Sequence, residues 1–171
     1  MKKILIFLLI SLTQIVSSAS AECYADSALY VLNSDSSFTA GFDFSMSDDQ
    51  NPIFYVNSEK TGRRYWFVLN LGNGWSDVIA RPIVDSEKEK GVIKLTKRAG
   101  DLPALGFYEI NDRFKPSSML PMAKMAAPAH LFLPQLGNSL YYFGLAFSDR
   151  NDENEAREQL PLGLFSLKKC K

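Results

Sequence analysis

The stretch Arg63–Val84, R-R-Y-W-F-V-L-N-L-G-N-G-W-S-D-V-I-A-R-P-I-V, constrains the fold more than any other part of the chain. Asn73-Gly74 stands between two long runs of aromatic and β-branched residues. A two-residue type I′ turn needs φ > 0 at both central positions, which Asn and Gly accept most readily, so the dipeptide reads as a hairpin turn. Counting outward from it pairs Leu69 with Val78, Phe67 with Ala80 and Tyr65 with Pro82 on one face. That face is almost wholly apolar and is expected to point into a core. The other face pairs Val68 with Ile79, Asn70 with Asp77 and Trp66 with Arg81, the last as a cation–π contact.

The remaining chain offers this hairpin further strands. Phe38–Phe44 alternates cleanly, with Phe38, Ala40, Phe42 and Phe44 on one face. Tyr24–Leu32, Ile53–Asn57, Val92–Arg98, Leu105–Ile110 and Leu162–Cys170 also read as strands, separated by turn clusters such as Ser47–Pro52 and Ala99–Pro103. Ser139–Ser148, S-L-Y-Y-F-G-L-A-F-S, is apolar on both faces and is expected to be a central strand. Residues 114–138 are broken by Pro116, Pro121, Pro128 and Pro134 yet carry Met119, Met122 and Met125, which predicts a long buried connection. Asp149–Gln159 reads as a solvated acidic loop. About nine short strands without a long amphipathic helix predict an all-β, single-domain antiparallel β-sandwich or flattened barrel.

Compartment follows from the N-terminus. Lys2-Lys3, the apolar run Ile4–Leu12 and Ala19-Ser20-Ala21 have the layout of a bacterial secretory signal peptide over residues 1–21, cleaved after Ala21. The mature chain, residues 22–171, is then expected in the periplasm or outside the cell, as one all-β domain. Lys2 and Lys3 belong to the leader, so the mature chain is left two charges negative from a balance of 19 basic and 19 acidic residues. Such a chain has no basic field for nucleic acid. No second long apolar run follows, so no transmembrane segment is expected in the mature chain. Its two cysteines, Cys23 and Cys170, stand near its two ends. In an oxidising compartment they are expected to pair, which by chain entropy stabilises by about 4–5 kcal/mol for so long a loop.

Catalytic chemistry finds little to work with. His130 is the single histidine and sits in apolar context, and no serine lies in a G-x-S-x-G elbow. Asp48/Asp49, Glu109/Asp112 and Asp77 are carboxylates from which a glycosidase pair would have to be drawn. Asp149-x-Asn151-x-Glu153-x-Glu155 begins like a calcium loop but has Asn154 at the sixth position and Leu160 at the twelfth, where glycine and glutamate are needed. Met119, Met122, Met125 and His130 have the donor types of a soft-metal site, but prolines interrupt the helix that would cluster them. No phosphate- or nucleotide-binding motif occurs, so neither a metal nor a cofactor is expected, and the chain reads as non-enzymatic. By elimination the mixed hairpin face, with Arg64, Trp66, Trp75 and Arg81, becomes the candidate binding surface, since Trp and Arg are enriched among binding hot spots. The expected partner is another protein of the cell envelope, in an inhibitor or immunity-type role. The alternatives are a small-ligand or lipid carrier with an apolar cavity, and a polysaccharide hydrolase.

Overall fold

Alternation of side chains along the chain builds a closed barrel. A computed structural model describes residues 23–45, 52–72, 77–83, 104–117, 119–144 and 157–170. Its strands are β1 (Ala28–Leu32), β2 (Phe38–Asp43), β3 (Ile53–Ser58), β4 (Arg64–Leu71), β5 (Val78–Pro82), β6 (Leu105–Ile110), β7 (Pro116–Ser117), β8 (His130–Phe132) and β9 (Phe165–Cys170). All pair antiparallel, in the order β5-β4-β3-β2-β1-β9-β8-β6, and β6 returns to pair with β5. Eight strands therefore close on themselves, while β7 adds to β6 beyond the end of β5. Closure leaves the eight strands without a free edge, which is how a small all-β chain avoids edge-to-edge pairing.

The interior is a packed core. Alternate residues face inward: Tyr30 and Leu32 from β1, Phe38, Ala40 and Phe42 from β2, Phe54 and Val56 from β3, and Tyr65, Phe67 and Leu69 from β4. Phe54 meets Phe67 at 6.0 Å and Phe107 at 5.3 Å between ring centroids, so these rings fill the barrel's waist. Eight strands enclose a lumen just wide enough for such filling.

The hairpin keeps its faces but shifts its register. Phe67 lies opposite Pro82, Val68 opposite Arg81, Leu69 opposite Ala80, Asn70 opposite Ile79 and Leu71 opposite Val78. The expected pairing of Leu69 with Val78 is thus displaced by two residues, and Gly72 N–H donates to the Asp77 carbonyl at 2.7 Å to close a longer connection. Asn73–Ser76 lie outside the described residues. Side chains repeat with period two along a strand, so a two-residue slip preserves which residues point inward while changing every cross-strand partner. The Trp66–Arg81 contact is lost in this way. Position 66 now faces Ile83, whose N–H donates to the Trp66 carbonyl at 2.9 Å.

Two other expectations are corrected. The described part of the expected strand Ser139–Ser148 is helical: Leu136–Phe143 forms a helix, α1, with Leu136, Ser139 and Leu140 buried, and 145–148 lie outside the described residues. Leu136, Leu140 and Phe143 stand at helical spacing, and that period begins before Ser139, where an apolar run alone looks like a strand. Gly137 lets α1 lie against the Leu160 carbonyl, a contact that any β-carbon would obstruct. The 114–138 connection is less buried than expected, with Met119 and Met122 each 57% exposed, and it contributes β7 and β8 to the sheet. The expected strand Val92–Arg98 lies outside the described residues.

The two barrel ends differ. At one, α1 and the segment 157–163 lie beside the β1–β2 and β3–β4 turns. At the other, Cys23 and Cys170 are joined in a disulfide, as expected from their placement. There the segment 23–27 lies along 123–127, with Ala25 N–H donating to the Met125 carbonyl and Ala127 N–H to the Cys23 carbonyl. Among the described residues no helix is long and apolar enough to cross a membrane.

Candidate functional site

On the outward face of β3 and β4 one of the four candidate binding residues, Trp66, is covered. Trp66 is only 2% exposed and packs with Ile53, Tyr55, Val68 and Ile83. Arg64, two residues along the same strand, takes the cation–π role, its guanidinium carbon 5.0 Å from the Tyr55 ring centre and 5.2 Å from that of Trp66. Arg64 Nε also donates to Asn57 Oδ1 at 2.6 Å. Arg64 and Arg81 are half-buried, and Trp75 lies outside the described residues. Three of the four candidate residues thus share one face of the sheet, but the tryptophan among them is covered.

His130 faces outward on β8, its ring stacked on Phe114 at 5.3 Å and its Nδ1 2.7 Å from Ser166 Oγ. Glu109 points into the barrel, whereas Asp112 is exposed in the β6–β7 turn and Asp77 is exposed beside β5, so Glu109 and Asp112 do not form a facing pair. Asp48, Asp49 and the loop from Asp149 to Glu155 lie outside the described residues. No group of three or more metal-ligating His, Cys, Asp or Glu side chains gathers among the described residues.

Geometry draws attention instead to the α1 end. Thr61 sits in the β3–β4 turn and Tyr65 faces inward one turn of chain later, on β4. Both reach Glu158, whose Oε2 accepts from Thr61 Oγ1 at 2.6 Å and from the Tyr65 hydroxyl at 2.9 Å. Glu158 is 1% exposed, although it closes a stretch that reads as a solvated loop. Burial, and then the adjacent Glu158 carboxylate, push the Tyr65 phenol above its ordinary range, while a hydrogen bond from Arg63 opposes them. Tyr65 therefore remains a protonated donor at any physiological pH.

Outside this anchored carboxylate lies a cleft of about 590 Å³ between α1, the 157–163 segment and the β1–β2 turn. Asp35, Asn138, Glu158 and Gln159 bring polar atoms to it, and Leu133, Leu160 and Phe165 bring apolar surface. Asp35 accepts from Lys60 and from the Ser37 hydroxyl and backbone N–H, which in that order hold its carboxyl well below the usual carboxylate range. Tyr141, on α1, stands at the rim with the Arg157 guanidinium carbon 5.2 Å from its ring centre. A volume of this size with mixed lining suits a small amphipathic molecule. Proton transfer suits it less, because Glu158 Oε2 is already engaged by two hydroxyl donors. The helical spacing of Leu136, Leu140 and Phe143 could have located α1 and hence one wall of the cleft. No local signal marks Glu158, since its burial depends on residues about a hundred positions away.

No protein-family model matches this sequence, and no curated protein or solved structure matches it either.

Proposed function

We propose that this protein is a non-enzymatic binding protein of the bacterial cell envelope that holds a small amphipathic ligand in the cleft at the α1 end. The cleft of about 590 Å³ carries this reading, since it lies in the range of small-molecule sites and mixes apolar walls with fixed polar atoms. Aromatic rings fill the waist of the barrel, which favours this end over an axial cavity for a ligand. The envelope assignment draws on residues 1–21, outside the described residues, and on the Cys23–Cys170 disulfide, which is compatible with an oxidising compartment.

Native mass spectrometry of protein purified from envelope extract tests this. The expected result is a small adduct of constant mass that is lost in Asn138→Trp, where an indole occupies the cleft while circular dichroism stays unchanged. An adduct that survives that substitution, or apo protein alone together with no ligand response by saturation-transfer NMR against extract, would reject the cleft.

A protein partner is the second reading, and Phe114 favours it. This residue is 67% exposed, adopts φ 57°, and is held out by a turn in which Asn111 Oδ1 accepts from the N–H groups of Arg113 and Lys115. A bulky ring fixed outward in a left-handed conformation is a feature found at contact surfaces. Pull-down from envelope extract with wild type and Phe114→Ala should show a partner that the variant loses.

A further inference from the structure

The polar groups lining the α1 cleft are rich in acceptors. Asp35 and Glu158 bring carboxylates to it, and Asn138 and Gln159 bring amides. Among the described residues no Lys, Arg or His lines the cleft. Each carboxylate is nevertheless matched by a cation that stands outside the lining. Lys60 pairs with Asp35 from the β3–β4 turn. Buried Arg63 donates to the Tyr65 hydroxyl, which in turn donates to Glu158. A third cation, Arg157, lies over the Tyr141 ring at the rim.

Depth and apolar surface complete the arrangement. Glu158 is covered and forms the floor, Asp35 is half-buried, and Asn138 and Gln159 are exposed. Asp35 is fixed in place, because Ser37 holds it as well as Lys60. Leu133, Leu160 and Leu162 supply apolar wall beside these groups, and Leu162 is 70% exposed.

Such a lining discriminates among amphipathic ligands. An anionic ligand meets two like charges and no lining cation, and like charges at close range repel. An organic ammonium ion meets carboxylates whose charge is already balanced, so a further ion pair offsets little of its lost hydration. A hydroxyl suits what remains. It donates to a carboxylate or amide oxygen without bringing charge, and its own oxygen accepts from an amide N–H. Several hydroxyls on one rigid ring make these bonds at little cost in ordering, while the C–H groups of the ring cover leucine side chains. We propose that the α1 cleft binds a small neutral saccharide, held through its hydroxyls by Asp35, Asn138 and Gln159 and through its C–H face by Leu160 and Leu162, a ligand class that rests on this cleft being the binding site.

The test follows the methyl resonances of Leu133, Leu160 and Leu162 by ¹H–¹³C NMR in the full chain with its disulfide intact. The probes are maltose, cellobiose, lactose and N,N′-diacetylchitobiose, which differ in linkage and substituent, with sodium decanoate below its micellar concentration as an anionic amphiphile. At least one disaccharide should give saturable shifts of these methyls at millimolar concentration, and decanoate should give none. Asn138→Leu keeps a side chain of similar size but removes the amide, and should weaken the disaccharide about threefold to tenfold. Gln159→Ala should act in the same direction and serves if the leucine variant folds poorly. Saturable shifts with decanoate and with no disaccharide would overturn the saccharide while keeping the cleft as a site for another amphipathic ligand. Equal binding of decanoate and a disaccharide, or disaccharide binding that neither variant weakens, would also overturn it. No shift with any probe overturns it too, and the adduct from envelope extract then decides the cleft separately.

Discussion

The ring of Tyr55 lies across the bare Cα of Gly41, its strand partner on β2, so closely that a β-carbon at position 41 would stand 2.5 Å from the tyrosine oxygen. Glycine on a strand interior usually weakens it, and here its absent side chain makes room for a ring laid flat on the outer face. That ring in turn supports Arg64 and Trp66.

Gly41→Ala should therefore destabilise the barrel by about 1–3 kcal/mol, the usual cost of overpacking. Urea unfolding checks this. In Tyr55→Ala the space is free, so the added cost of Gly41→Ala should fall well below its cost in wild type, because the two residues touch.

Glu109 makes stability fall as pH rises. Burial lifts its carboxyl from an ordinary 4.5 to about 7. Below the lower value folded and unfolded chains both hold the proton. Between the two, the unfolded chain has released it and the folded chain has not, so each step up in pH favours unfolding. Above about 7 the effect is complete and flat. Glu109→Gln removes this contribution, so its stability advantage over wild type should grow by up to about 3 kcal/mol between pH 4.5 and pH 8. Urea titrations at those two values measure it, and an equal difference at both would contradict the assignment.

Glu158 holds the α1 end through two hydroxyls on one oxygen. Tyr65→Phe and Thr61→Val should each cost about 1.5–3 kcal/mol, as hydrogen bonds to a charged group do. Because they share Oε2, the double variant should depart from the sum by about 0.5 kcal/mol or more in a double-mutant cycle. Additivity would mean that the two donors act independently.

Phe114 at φ 57° occupies a conformation that side chains with a β-carbon resist. Phe114→Gly and Phe114→Ala lose the same stack on His130, but only glycine relieves the backbone. The glycine variant should be the more stable of the two by about 1 kcal/mol, read from thermal or urea unfolding.

Much of the barrel wall is legible in local patterning. Phe38, Ala40 and Phe42 announce β2 by alternation, and Leu105–Ile110 is read to its boundaries. The inward residues of the 63–84 hairpin are identified correctly even though the register is not, since a slip of two leaves the faces unchanged. Two cysteines, Cys23 and Cys170, leave one pairing. α1 is harder to read, because an apolar run is compatible with both periods until Leu136 is included.

Other features belong to the tertiary structure alone. Whether strands close into a barrel depends on β6 finding β5 and β9 finding β1, and hydrogen-bonding edges carry no residue code that names their partner. Trp66 reads as a surface anchor in sequence and is covered in the fold, because its burial is set by neighbours on β3 and after β5. Glu158 and Glu109 make the same point for charge. A carboxylate's position on a strand or loop follows from local pattern, but whether it meets two hydroxyls or none depends on residues brought from elsewhere in the chain. The alternation of apolar side chains determines what lies inside this protein, and long-range pairing decides what those interior groups can do.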